Sequence, residues 1–144
     1  MRGRLRSILN ALPSYQRVKQ DVAVYREAVH DVRLSLEHGG SVPFELSVLA
    51  TTLRHAAVLG CYVIRRPNFG RYSAIQNYTR AKRVAGWNRE RVRSLIEYKL
   101  WSEGRVPAPS WLELESSAHG LCADVEAVIA RVEEDARCAE SLIP

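Results

Sequence analysis

PFELSVLATTLRHAAVLGCYVIRRP, residues 43 to 67, decides the fold. Between residues 44 and 65 the apolar side chains Phe44, Leu46, Val48, Leu49, Leu53, Ala56, Ala57, Leu59, Val63 and Ile64 fall on nearly every side of a helix. A helix that is apolar almost all round is a central one, covered by neighbours on most faces. Pro43 suits its first position, where a missing N–H costs nothing, and Pro67 is expected to stop it.

The flanking sequence supplies the covering helices. Upstream, Val18, Val22, Tyr25, Val29, Val32 and Leu36 recur at spacings of four and three and predict a helix over 14–38. Gly39-Gly40 closes it, because glycine takes the left-handed backbone of a helix C-terminus. Downstream, Tyr72, Ile75 and Tyr78, with Lys82, predict a shorter and more polar helix over 71–85, broken at Gly86. Asn88 can cap a further helix whose inner face is Val92, Leu95, Ile96 and Leu100. The breaker-rich GRVPAP, 104 to 109, ends it. Ser110 to Glu113 then has the spacing of a capping box. Trp111, Leu114, Ala118, Leu121, Cys122, Val125, Val128, Ile129 and Val132 form the last amphipathic face, mildly interrupted by Gly120. Residues 2–12 predict a short amphipathic helix with Leu5, Ile8, Leu9 and Leu12 inward.

No stretch alternates like a half-buried strand. The expected architecture is therefore all-α: an up-and-down bundle of four main helices plus one or two short ones. The 144 residues make a single domain, with a short N-terminal segment over 1–13, the bundle over 14–135 and a tail over 136–144.

Composition excludes several classes of function. No run of eighteen apolar residues suggests a membrane span, and MRGRLRSILNALP, 1 to 13, lacks the long apolar region of a signal peptide. Cys61, Cys122 and Cys138 are an odd set with no C-x-x-C, which points to reduced thiols and a cytoplasmic setting. The histidines His30, His38, His55 and His119 make no ligand motif, so neither a metal nor another cofactor is expected. Phosphate-cradling glycine loops and a serine-hydrolase elbow are missing as well.

Charge is unevenly spread. Residues 1–64 carry eight Lys/Arg and five Asp/Glu, residues 65–99 ten and two, and residues 100–144 three and nine. A basic middle invites an anionic partner, or it packs beside the acidic end inside one bundle.

Three clusters carry candidate chemistry. In REAVHDVRLSLEH, 26 to 38, Arg26 and His30 lie one helical turn apart. An arginine and a histidine there, Arg33 with His38 or His30, could bind a phosphate and move a proton in RNA cleavage. They could equally form a polar face paired with Glu27, Asp31 and Glu37. Arg54-His55 interrupts the central apolar helix. A charge there either meets a buried acid from another helix, or belongs to a stripe of Thr51, Arg54, Val58, Cys61 and Arg65 that lines a cleft or faces a partner subunit. Finally, RRPNFGRYSAIQNYTRAKR, 65 to 83, brings Arg65, Arg66 and Arg71 to one turn as an anion-binding rim. Tyr72 and Tyr78 there are either base-stacking or packing residues.

The order of these features resembles the helical domains that accompany minimal nucleotidyltransferases. These include the substrate-binding bundles of the HEPN superfamily and the C-terminal helical domain of kanamycin nucleotidyltransferase-like enzymes. The segment FELSVLATTLRHAAVLGCYVIRRPNFGRY, 44 to 72, carries the resemblance, with 24–40 as the preceding helix and 97–129 as the later pair. Together they span about residues 15–135. A nucleotidyltransferase core needs Gly-Ser followed by Asp-x-Asp. Gly40-Ser41 is present, but no aspartate follows it before Asp124. The resemblance therefore implies a non-catalytic bundle that binds a nucleotide, a substrate or a separate nucleotidyltransferase chain, with a toxin–antitoxin-type pair as one setting. It also implies a homodimer through the first long helices. Ribonuclease members carry Arg, four to six residues, then His on later helices, whereas RLSLEH, 33 to 38, lies on an early one. The sequence leaves three readings: the partner module, a metal-independent toxin ribonuclease, and a basic nucleic-acid-binding or assembly protein.

Overall fold

The computed structural model describes residues 14–70, 72–104 and 116–141. Those residues form an all-α bundle: α1 (Tyr15–Glu37), α2 (Val42–Val63), α3 (Ser73–Ala81), α4 (Arg89–Ser102) and α5 (Ala118–Ser141). The short helix expected over 2–12 and the capping box at Ser110–Glu113, with Trp111 and Leu114, lie outside the described residues.

The core is a triangle of the three long helices, with α2 packed on both α1 and α5 and those two on each other. Val18, Val22, Val29 and Val32 of α1 meet Leu46, Leu49, Leu53, Ala56 and Ala57 of α2 and Leu121, Val125, Val128, Ile129 and Val132 of α5 in one buried cluster. Alanine at two successive positions of α2 keeps the cluster narrow enough for the helices to approach closely. By length and composition α2 would also match a membrane span, but here most of its large apolar residues are buried or half-buried in the bundle. Phe44 is the exception, 65% exposed at its N-terminal end.

Ion pairs set the direction of α1 against α5. Arg33 bonds Glu126, Arg26 bonds Glu133 at 2.6 Å, and the Tyr15 N–H donates to Glu140 at 2.6 Å. As the numbers rise on α1 they fall on α5, so the two run antiparallel. The acids that neutralise Arg26 and Arg33 are therefore on the last helix, not Glu27, Asp31 or Glu37 on their own helix as the sequence suggests.

Helix ends explain the connections. Ser14 caps α1 by accepting from the Arg17 N–H at 3.2 Å. Gly39, at φ 75°, closes α1 and lets the Gly40 N–H reach the Ser35 carbonyl at 2.7 Å. At the end of α2 the same closing motif recurs with an arginine. Arg65 takes φ 62°, its N–H donates to Tyr62 and the Arg66 N–H donates to Cys61 at 2.9 Å. So α2 ends at Val63, before Pro67 can act, and Pro67 instead follows the completed cap.

The third helix is shorter than its periodicity predicts. It ends at Ala81, and Lys82 is already extended at ψ 132°. The extended turn lets Val84 drop into the core, which continuing the helix would prevent. Ala74, Ile75 and Tyr78 bury against α2. Gly60 makes this approach close: a Cβ there would lie 2.7 to 2.9 Å from the Tyr78 ring. The Tyr78 hydroxyl crosses to α5 and donates to Asp135 at 2.5 Å, which Arg131 also pairs at 3.0 Å.

Asn88 caps α4 as expected, accepting from the Arg91 N–H at 3.1 Å. The buried face is Val92, Leu95 and Tyr98, a narrower stripe than the one read from the sequence. Ile96 is only half-buried, and with Leu100 it borders a surface groove. The N-terminus of α4 is tied to α5 by Asp124, a fully buried carboxylate that accepts from Asn88 N–H at 2.8 Å and from Arg91 Nε and Nη2 at 2.9 and 3.0 Å. Gly120 has a role here: a Cβ would sit 2.7 Å from Arg91 Nη1, so glycine leaves the floor on which the guanidinium lies.

Candidate functional site

The sequence names Arg54, His55, Arg65, Arg66 and Arg71 as ligand- or anion-binding candidates, the last three as a rim at one turn. The fold distributes them. Arg54 and His55 border a hollow of about 400 Å³ together with Tyr25 of α1, Val58, Leu59 and Tyr62 of α2, and Phe69 of the following loop. Arg66 borders a second hollow of about 270 Å³ with Cys61, Ile64, Asn77, Arg80 and Ala81. The two sets leave α2 on faces about a third of a turn apart at 100° per residue. Arg65 is exposed and borders neither, and Arg71 lies outside the described residues. The expected stripe of Thr51, Arg54, Val58, Cys61 and Arg65 is likewise divided, with Thr51 exposed and Cys61 fully buried.

The first hollow is chemically the more particular. Arg54 is half-buried, and its Nε is shielded from solvent with no hydrogen-bond partner. No ion pair among the described residues involves it. The sequence left a buried acid as one option for this arginine; the cleft is the arrangement found. His55 lies at the rim, its ring 6.4 Å from that of Tyr25 and tilted by 48°. Burial, reinforced by Asp21, pushes the Tyr25 phenol above its ordinary pKa. Phe69 stands 69% exposed at the mouth, on a loop fixed by Asn68, whose Oδ1 accepts from Gly70 N–H and Ser73 Oγ, each at 2.9 Å. The hollow is thus walled by an arginine whose shielded Nε has no partner, together with several aromatic side chains.

In the second hollow Cys61 is not a nucleophile in waiting. Its thiol donates to the Ala74 carbonyl at 3.4 Å, and burial raises its pKa. A third and larger depression, about 560 Å³, runs between α3 and α4. Its walls include Ile75, Trp87, Val92, Ile96 and Leu100 with Arg80, Arg89 and Arg93.

The α1 cluster is built differently. Arg33 is half-buried and engaged by Glu126, while His30 is exposed. His38 is the C-cap of α1, and its Nδ1 lies 2.7 Å from the Leu34 carbonyl, to which it donates. The arginine is thus drawn to α5 while His38 is bonded to its own helix end. Tyr78, the base-stacking candidate, is fully buried with its hydroxyl on Asp135 and serves packing. Tyr72 is half-buried and donates to Glu103 at 3.3 Å. Among the described residues no group of His, Cys, Asp and Glu is arranged to hold a metal ion.

The aromatic members of the first hollow escaped sequence reasoning. Tyr25 counted as a seam residue, and Tyr62 and Phe69 carried no pattern. The signal for Phe69 was faint: an aromatic in a Pro-Asn-Phe-Gly loop, where nothing local demands one.

No family model matches the chain, and neither a curated protein nor a solved structure matches it.

Proposed function

We propose that this protein is a non-catalytic nucleotide-binding module that works with a separate nucleotidyltransferase chain in the cytoplasm. The observation that carries the nucleotide is Arg54. A buried donor left without a partner costs about 1–3 kcal/mol, and a phosphate oxygen is the acceptor best suited to a guanidinium edge. Around it, Tyr25, Tyr62, His55 and Phe69 supply the planar, apolar surface that a base requires. The volume of about 400 Å³ is within the range of small-ligand sites. The companion enzyme rests on the order of helices that resembles nucleotidyltransferase-associated bundles, and the free thiols of Cys61, Cys122 and Cys138 are in keeping with a reducing compartment.

The reading gives His55 and Arg54 binding roles and leaves the chemistry to the partner. Calorimetric titration with AMP, ADP and ATP is the direct test. Arg54→Gln should weaken binding about tenfold to a hundredfold, the value of a charge-assisted hydrogen bond of roughly 1.5–3 kcal/mol. Unchanged affinity in that variant would remove the proposal. Native mass spectrometry of the protein purified from its own cells tests the companion: a complex with a nucleotidyltransferase is expected, and the bare chain alone counts against it.

A further inference from the structure

The last helix neutralises the first, and this leaves the middle of the chain uncompensated. Glu126 and Glu133 are used by Arg33 and Arg26, Asp135 by Arg131 and Tyr78, and Glu134 by Arg137. Among the described basic residues between 65 and 99, only Arg91 is paired with an α5 carboxylate, Asp124. Arg66, Arg80, Arg89 and Arg93 are all exposed, and none is in an ion pair among the described residues. Among the described residues, therefore, the acidic end of the chain does not cancel its basic middle.

These four arginines are not scattered. Arg80, Arg89 and Arg93 border the groove between α3 and α4, and Arg80 also borders the adjoining hollow that holds Arg66 and Asn77. The groove has an apolar floor, with Ile96 and Leu100 turned into it and the Trp87 indole half-buried beside them. The result is a continuous track of cations above apolar and aromatic surface.

We infer that this track binds single-stranded nucleic acid, with phosphates on Arg66, Arg80, Arg89 and Arg93 and a base against Trp87. The apolar floor favours a single strand over a duplex. Unpaired bases have free faces that need such a surface, whereas a duplex presents only phosphates and base edges to an arginine row. Glu90 and Glu97 also border the groove. As acceptors they suit exocyclic amino groups of bases. The site is separate from the Arg54 hollow and stands whether or not that hollow takes a nucleotide.

Fluorescence anisotropy with a labelled 20-nucleotide single strand, its duplex and a salt series tests the inference. The single strand should bind more tightly than the duplex. The salt slope, log K against log [salt], should be about −0.7 for each phosphate engaged. Arg80→Gln, Arg89→Gln and Arg93→Gln together should cut affinity at least tenfold and make the slope shallower. All three side chains are exposed, so the fold is expected to survive; a thermal melt verifies it. Trp87→Phe keeps an aromatic face and should lose less than Trp87→Leu. Arg54→Gln should leave single-strand binding unchanged. Duplex bound as well as single strand, a flat salt dependence, or a triple variant that binds like the parent would each overturn the assignment.

Discussion

Replacing Asp124 by alanine should be among the most damaging single changes in the bundle. The carboxylate is fully buried and accepts three hydrogen bonds, two from Arg91 and one from the Asn88 N–H. Breaking a buried ion pair by deleting one member commonly costs 3–5 kcal/mol, because the survivor is left uncompensated. Here the survivor has an escape: the Arg91 side chain is 35% exposed and can take water in place of the lost acceptor. That puts the expected cost at the low end, about 3 kcal/mol. A domain of this size has roughly 7–15 kcal/mol in hand, so the variant still folds and can be measured. At about 2–4 °C per kcal/mol the melting temperature should fall by about 6–12 °C. Urea denaturation followed by circular dichroism gives the free energy directly. Asp124→Asn, which keeps an acceptor for Asn88 and loses the charge, should lie between the parent and alanine. In a double-mutant cycle with Arg91→Ala, the coupling should exceed about 1 kcal/mol. A cost below about 1 kcal/mol for the alanine variant, or additivity in the cycle, would refute the view that this pair holds α4 on α5. The same variant should weaken single-strand binding at the α3–α4 groove, since Asn88 is adjacent to Trp87 and Arg89.

Gly60→Ala should destabilise by about 1–3 kcal/mol, the range for overpacking, despite alanine's better helix propensity. Its Cβ would meet the Tyr78 ring at 2.7–2.9 Å, and that ring is fully buried and held by Asp135; a stabilised variant in urea denaturation would show that the ring can give way. Alkaline pH should also unfold the protein progressively. Burial raises the pKa of Tyr78, further raised by its bond to Asp135, and burial likewise raises Cys61, Cys122 and Tyr25. The folded state then keeps protons that the unfolded chain releases. Stability is fully present below the ordinary thiol and phenol pKa values and falls as pH rises through about 9 to 11, by about 1.4 kcal/mol per pH unit for each group still protonated only in the fold. Tyr78→Phe should reduce the slope above pH 10 by one proton's worth, and an unchanged slope would exclude Tyr78 as a contributor.

The long helices were legible in the sequence because their periodicity is set by burial against one another. Val18 to Val32, Leu46 to Ala57 and Leu121 to Val132 repeat at helical spacing and all reach the core. Local caps were legible for the same reason: Gly39 and Asn88 act through residues within a few positions of themselves. What escaped were choices made by distant partners. The third helix stops at Ala81 because Val84 has a place in the core, a fact of tertiary packing. The partners of Arg26 and Arg33 lie about a hundred residues away, so i to i+4 acids were the wrong candidates. Gly120 reads as a flaw in a helix until Arg91 is seen lying over it.

The sites followed the same division. A charged pair inside an apolar helix was a sound signal for Arg54, since only a cleft or a counter-charge can keep a guanidinium there. Which of the two it was depended on the rest of the bundle. The α5 carboxylates are taken up by Arg26, Arg33 and Arg91, by Tyr78 with Arg131, by Arg137 and by the Tyr15 N–H, and none is paired with Arg54. The same allocation leaves Arg80 of α3 and Arg89 and Arg93 of α4 without an acid among the described residues. One packing decision, α5 laid antiparallel on α1, therefore accounts for both an unpartnered guanidinium in the α1–α2 hollow and a basic track on the α3–α4 face. Reversing that decision locally offers a sharp check on the logic. If Glu126→Lys drives Arg33 off α5, the loss should be in stability alone, with the two binding surfaces unchanged, because neither depends on Glu126 for its charge.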